Sequence, residues 1–169
     1  MNIAQQIEAS EGLDMDADTD QYLTFMLDGE EYGVDILRVQ EIKGWDSVTP
    51  IPNTPQYIKG VINLRGTIVP IFDLREKFNL EQIPYGATTV VIVLKVKNEK
   101  GSRTMGIVVD AVSEVYNIKT EDLKASPDFG SAISTDFVEG LATINEKMII
   151  VLDIDFLLNS SVEGDLELG

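Results

Sequence analysis

The sequence predicts an all-β protein with short helices, organised as two five-stranded SH3-like barrels related by an internal repeat. Three observations lead there. Short β-prone runs alternate with turns marked by Gly, Pro, Asp or Asn. Helical signals are confined to short stretches, the clearest following Asp73 and Asp153. Finally, the stretch Gly60 to Phe78 (GVINLRGTIVPIFDLREKF) returns without a gap as Gly140 to Leu158.

The repeat is followed residue by residue. Tyr57-Ile58-Lys59-Gly60 aligns with Phe137-Val138-Glu139-Gly140, and Ile68-Val69-Pro70-Ile71-Phe72-Asp73 with Met148-Ile149-Ile150-Val151-Leu152-Asp153. Upstream, Tyr32-Gly33-Val34 and Val39-Gln40-Glu41-Ile42 align with Met105-Gly106-Ile107 and Val112-Ser113-Glu114-Val115. This is one supersecondary unit copied once, not a solenoid array. The turn departs from the pattern: Arg65-Gly66 in the first copy is Asn145-Glu146 in the second.

In chain order, residues 1–19 read as a disordered acidic tail without apolar periodicity. Asp14, Asp16 and Asp18 alternate like the start of a calcium loop. Thr19 stands where that loop needs Gly, and Phe25 where it needs a bidentate Glu, so we expect a solvated tail. Gln21–Leu27 and Glu31–Ile36 form a hairpin around Asp28-Gly29. Leu37–Ile42 reads as a helical turn running into strand. Pro50, Pro52 and Pro55 make Gly44–Gln56 irregular.

Val61–Leu64 and Thr67–Phe72 then form the hairpin whose tip is Arg65-Gly66, with Gly66 supplying a left-handed conformation. Asp73 is an N-cap, and Glu76 three residues on completes a capping box. Pro84 and Gly86 mark the boundary between halves. Thr88–Val96 is a continuous apolar run, as expected of a strand buried on both faces. Thr104–Asp110 pairs back on it, Val112–Ile118 continues, Thr120–Leu123 is a short helical segment, and Ser126–Ser134 is loop. Phe137–Ile144 and Lys147–Leu152 form the last hairpin, and Asp153–Leu158 the last helix. We therefore expect one folded domain over residues 20–158, with 20–86 as the first barrel half and 87–158 as the second. Residues 159–169 form an acidic C-terminal tail.

Composition narrows the chemistry. The chain has 169 residues, no Cys, no His and a net charge of −16. Each half alone would be marginal, because a small core buries too little of its surface. Without Cys or His there is no disulfide, no thiolate or imidazole metal site, and the commonest general base is missing. We expect no metal, no cofactor and no catalytic residue. The acidic surface repels phosphates, which excludes nucleic acid and anionic membranes as partners. No run is apolar enough to cross a bilayer, and a cytoplasmic location follows as the expectation. Asp73 and Asp153 read as caps at matching places in a repeat and not as a catalytic carboxylate pair. Trp45 reads as the cover of a barrel end.

The blocks Glu31-Tyr32-Gly33-Val34-Asp35-Ile36, Val39-Gln40-Glu41-Ile42, Asn53-Thr54-Pro55, Ile58 to Gly66 and Val69 to Arg75 resemble CheW, the bacterial chemotaxis coupling family. The resemblance spans Gln21 to Asn159, and Asn63-Leu64-Arg65-Gly66 in its apolar frame is its most specific part. It implies two intertwined SH3-like barrels. It also implies a non-catalytic adaptor that couples the histidine kinase CheA, through its regulatory domain, to the tips of methyl-accepting chemotaxis receptors. Recruitment to membrane-anchored receptor arrays would follow, with other CheW copies as further partners. On this basis the expected partner-binding residues are Val39, Glu41, Ile42, Gly60, Asn63, Leu64, Arg65 and Gly66. The alternative is a small-molecule sensor or carrier using a pocket between the barrels. For Arg65 two roles stay open: an internal pair with a carboxylate such as Glu41, or a contact with a partner.

Overall fold

A computed structural model describes residues 19–125 and 136–165. The acidic N-terminal tail, except Thr19, and the Ser126–Ser134 loop lie outside the described residues. The chain forms strands β1 (Thr19–Leu27), β2 (Glu30–Asp35), β3 (Val39–Gly44), β4 (Ile58–Leu64) and β5 (Thr67–Asp73). Helix α1 (Leu74–Lys77) follows, then β6 (Val90–Asn98), β7 (Gly101–Val109), β8 (Ala111–Lys119), β9 (Val138–Ile144) and β10 (Lys147–Leu152), and helix α2 (Ile154–Asp165). Single 3-10 turns at Ile36–Arg38 and Thr120–Asp122 lead from β2 into β3 and out of β8.

The strands make two five-stranded sheets, ordered β8-β1-β2-β10-β9 and β3-β6-β7-β5-β4. Within each, one junction is parallel, β2 with β10 and β5 with β7, and the others are antiparallel. The repeat is present in step. Strands β4 and β5 with α1 match β9 and β10 with α2, and Thr49 bridges Val61 just as Lys124 bridges Leu141.

The halves cross. β1 and β2 lie in the sheet that holds β8, β9 and β10, while β6 and β7 lie with β3, β4 and β5. Residues 20–86 and 87–158 therefore hold the two copies of the repeat, and each contributes strands to both sheets. The reason is the parallel junction: β2 finds its neighbour in β10, and β5 in β7, always in the other copy.

Crossing creates three apolar layers. One shared core takes Leu23, Phe25 and Leu27 from β1, Ile92, Leu94 and Val96 from β6, and Phe72, Leu74, Leu152 and Leu158. A second lies within the β3–β7 sheet (Leu64, Val69, Ile71, Val91, Val93, Val108), and a third within the other (Tyr22, Ile118, Ala142, Ile149, Val151). This explains the unbroken apolar run of β6. Its odd residues Val91 and Val93 face one core, and its even residues Ile92 and Leu94 face another.

Both helices start on an aspartate. Asp73 Oδ1 accepts hydrogen bonds from the amides of Arg75 (2.8 Å) and Glu76 (3.3 Å), and Asp153 Oδ1 accepts from the Phe156 amide (3.1 Å). The reciprocal half of the expected capping box is absent. The Asp73 amide donates to the Tyr57 carbonyl, and the Glu76 carboxylate pairs with Lys59 instead. Helix α2 also runs on to Asp165, past Asn159 where the tail was expected to begin. Asn159 anchors this extension by donating from Nδ2 to the Lys97 carbonyl at 2.7 Å.

Each helix is clamped by a bidentate ion pair. Arg75 on α1 donates from Nε and Nη2 to Asp110 at 2.8 and 2.7 Å, and from Nη1 to the Glu81 carbonyl. Arg38 donates from Nη1 and Nη2 to Asp155 on α2 at 2.8 and 2.7 Å. Burial alone would raise the Asp110 and Asp155 carboxyls, but their arginines and the Asp28 and Lys97 amides outweigh it. Both are held below the usual carboxylate range. Stability from a lowered carboxyl is complete above that range and is lost as pH falls through the folded-state value. In urea titrations, wild type should therefore exceed Asp110→Asn near neutral pH, and the two midpoints should converge as pH falls below the usual carboxylate range.

Candidate partner-binding site

β3 and β4 are the outer strands of their sheet, yet their side chains meet. Arg65, at the tip of the β4–β5 hairpin, places Nη2 2.6 Å from Oε1 of Glu41 on β3. The pair spans the two edges of the sheet. The Arg65 side chain is 73% exposed and that of Glu41 27%. Exposed pairs of this kind contribute about 0–1 kcal/mol. Most of the guanidinium surface thus faces outward.

The rest of the hairpin holds that tip in place. Asn63 Oδ1 accepts from the Gly66 amide at 2.8 Å, closing the turn from inside. Leu64 is buried against Val69 and Ile71. Gly60, at φ +145°, lies where a Cβ would be 2.2 Å from the Thr49 carbonyl oxygen. Thr49 and Val61 exchange both backbone hydrogen bonds there, at 2.9 Å each. Val39 and Ile42 are half-buried on β3 and pack partly on the shared core. Of the eight expected residues, Glu41, Asn63, Arg65 and Gly66 converge at the tip. Gly60 and Leu64 anchor it, while Val39 and Ile42 lie along the adjoining edge.

The tip is backbone-strained. Arg65 sits at φ 51° and Gly66 at φ 91°, both left-handed. In the second copy Asn145 (φ 51°) and Glu146 (φ 68°) take the same conformations. Such two-residue turns favour Asn followed by Gly. Each copy has one of these and puts a charged residue in the other place.

Ile68, beside the tip, and Tyr85, farther along the sheet, escape a reading of the sequence. Ile68 is 59% exposed on β5 beside Thr67, where an alternating strand gives no sign of which face is free. Trp45 packs on Tyr85 (ring centroids 4.4 Å apart), and the Tyr85 hydroxyl donates to Asp73. Burial, then the Asp73 carboxylate, push that hydroxyl well above the usual tyrosine range. Trp45 was read as a barrel cover and does lie over that core; Tyr85, in the Pro- and Gly-marked link, carried no signal. Beside them is a cleft of about 270 Å³ lined by Lys43, Trp45, Val48, Val61, Asn63 and Val91. It is lined from both outer strands of one sheet, β3 and β4, and not from between the barrels where the sensor reading placed its pocket.

Among the described residues no cluster of three or more acidic side chains is arranged to hold a metal ion, and no helix is long and apolar enough to cross a membrane. A family model described as the CheW-like domain matches residues 21–162. The chain belongs to the CheW family. Over 140 residues it is 50% identical to the chemotaxis protein CheW of Klebsiella aerogenes, covering 83% of this chain and 82% of that one. It is 34% identical to the CheW of Rhizobium meliloti over 140 residues, covering 83% and 88%. The crystal structure of the scaffolding protein TtCheW from Thermoanaerobacter tengcongensis superposes with a TM-score of 0.74 at 36% identity, covering 82% of this chain and 91% of that one. CheW-family membership makes the protein a scaffold or coupling protein of chemotaxis.

Two substitutions separate anchoring from display. Gly60→Ala forces a methyl group into the Thr49 carbonyl at a φ that side chains rarely adopt, and should lower stability by more than about 1 kcal/mol in urea titration. Glu146→Gly relieves a left-handed backbone without removing a buried contact, and should raise stability by about 1 kcal/mol.

Proposed function

We propose that the protein is a non-catalytic adaptor that couples methyl-accepting chemotaxis receptors to the histidine kinase CheA in cytoplasmic arrays beneath the membrane. The observation that carries the proposal is Arg65. It is charged, exposed and held in a left-handed backbone that the second copy gives to the better-suited Asn145. A residue that stands against local preference, on a tip fixed by Asn63, Leu64 and Gly60, is suited to recognition. Family membership supports the partners: CheA through its regulatory domain, receptor tips, and other copies of the adaptor within a ring.

In this reading the guanidinium keeps one edge on Glu41 and offers the other to an acidic or carbonyl group of a partner. The planar fork sets orientation in a way an ammonium does not. Exposed Ile68 adds apolar area beside it, and Val39 and Ile42 extend the surface along β3. The absence of His and Cys from the sequence supports binding over catalysis.

The test is reconstitution. Purified chain added to receptor-containing membranes and CheA should raise CheA autophosphorylation, and attractant should suppress it. No rise at saturating chain would defeat the proposal. Arg65→Ala should leave the melting temperature nearly unchanged and lower receptor-coupled activation severalfold, with Arg65→Lys restoring it only in part. Val39→Asp places a charge at the same edge and should weaken CheA binding in a pull-down. Circular dichroism on that variant distinguishes lost binding from lost fold.

A further inference from the structure

The two helix clamps occupy corresponding places in the repeat but have opposite polarity. Arg75 and Asp155 are each the second residue of the helix after the repeated hairpin. Their partners, Asp110 and Arg38, each lie in the short link that leaves β7 or β2 of the other copy. Helix α1 therefore offers a cation to an anionic link, and α2 offers an anion to a cationic one. Both contacts are bidentate, the ion-pair geometry most sensitive to partner identity.

Apolar packing by itself does not dictate that the halves cross. β5 and β10 bury matching positions, Val69 with Ile149, Ile71 with Val151 and Phe72 with Leu152. β2 and β7 both put a glycine at the parallel junction, Gly33 and Gly106. A form in which each half folds on itself, β2 against β5 and β7 against β10, would bury similar side chains. In that form Arg75 would meet the link holding Arg38, and Asp155 would meet Asp110. The same clashes arise when like halves of two chains pair. Crossed pairing makes both contacts attractive, and uncrossed pairing makes both repulsive.

We propose that the opposite polarity of the Arg75–Asp110 and Arg38–Asp155 clamps selects the crossed arrangement and rejects pairing of like halves, within one chain or between two. Repulsion in the wrong state, added to attraction in the right one, widens the gap between two arrangements that hydrophobic contacts leave close.

A cysteine-free chain makes the test direct. Gln21 on β1 and Asn117 on β8 are register partners from different halves, so Gln21→Cys with Asn117→Cys reports crossing as an intrachain disulfide. In this background Arg38→Asp with Asp155→Arg keeps an attractive pair but gives both helices the same polarity. Arg75→Asp with Asp110→Arg does so from the other side, and all four changes together restore opposite polarity. After refolding from urea under oxidising conditions, each two-site swap should lower the intrachain cross-linked fraction at least twofold. Oligomers on size exclusion should increase in proportion to chain concentration. The fourfold variant should return to the unswapped level. The proposal is overturned if both two-site swaps cross-link as fully as the unswapped chain. It is equally overturned if the fourfold variant does no better than they do, for then the loss reflects contacts such as those of Asp110 with the Asp28 amide and Asp155 with the Lys97 amide.

Discussion

Gly33 on β2 and Gly106 on β7 carry no side chain because the strand alongside leaves almost no room for one. A Cβ on Gly106 would stand 2.7 Å from Ile71 Cδ1, and one on Gly33 would stand 3.3 Å from Ile149 Cγ2. These close approaches lie at the two parallel junctions, β7 on β5 and β2 on β10. Each junction joins one copy of the repeat to the other, so both sheets are completed by strands distant in sequence. From that follow the shared core between the sheets, the two-faced burial of β6 and the dependence of each half on its partner. Neither half has a finished sheet or an enclosed core of its own.

The proposed contact lies in what the repeat does not repeat. Strand order, aspartate N-caps, bridges and the left-handed turn agree between the copies, down to φ 51° at both Arg65 and Asn145. A duplicated scaffold with a unique tip fits a protein whose task is recognition, because the duplicated part already answers the demands of folding. Arg65 adds little to stability that Asn would not match, and at its position Asn would relax the backbone. Its presence calls for an explanation outside the fold, which is the ground of the proposed partner contact.

Much of this was legible in the sequence. The in-step return of Gly60–Phe78 marked the hairpins and helix starts, because Gly, Asp and β-branched runs act locally and through neighbours. The Asp28-Gly29 and Arg65-Gly66 turns were readable for the same reason. What was not legible depends on distance. The crossing of halves is not written in the residue pattern and came only as an implication of the resemblance, since β5 and β10 share one apolar pattern and either could serve as neighbour to β2. Likewise Glu76 had a reachable cap amide, but Lys59 on the neighbouring strand competes for its carboxylate and Tyr57 takes the amide. Helix α2 outran its expected end because Asn159 found the Lys97 carbonyl, a partner 62 residues away. At the site, the Arg65–Glu41 pair was foreseen as one of two roles. The Trp45–Tyr85 wall was not, because it joins two irregular links.

β5 connects folding to recognition. At one end it carries the Arg65-Gly66 tip, and at the other it ends in Asp73, which caps α1 and accepts from Tyr85. Between them Val69, Ile71 and Phe72 are almost wholly buried, facing two different cores. A strand fixed on both faces and at its far end cannot easily bend or slip in register. The guanidinium at its near end is thus held in position before any partner arrives, with Glu41 limiting its rotamers further. Binding through such a group loses less conformational freedom than binding through a mobile loop, and more of the contact energy is left for affinity and orientation. For the adaptor role proposed above, rigidity behind the contact would matter as much as the contact itself.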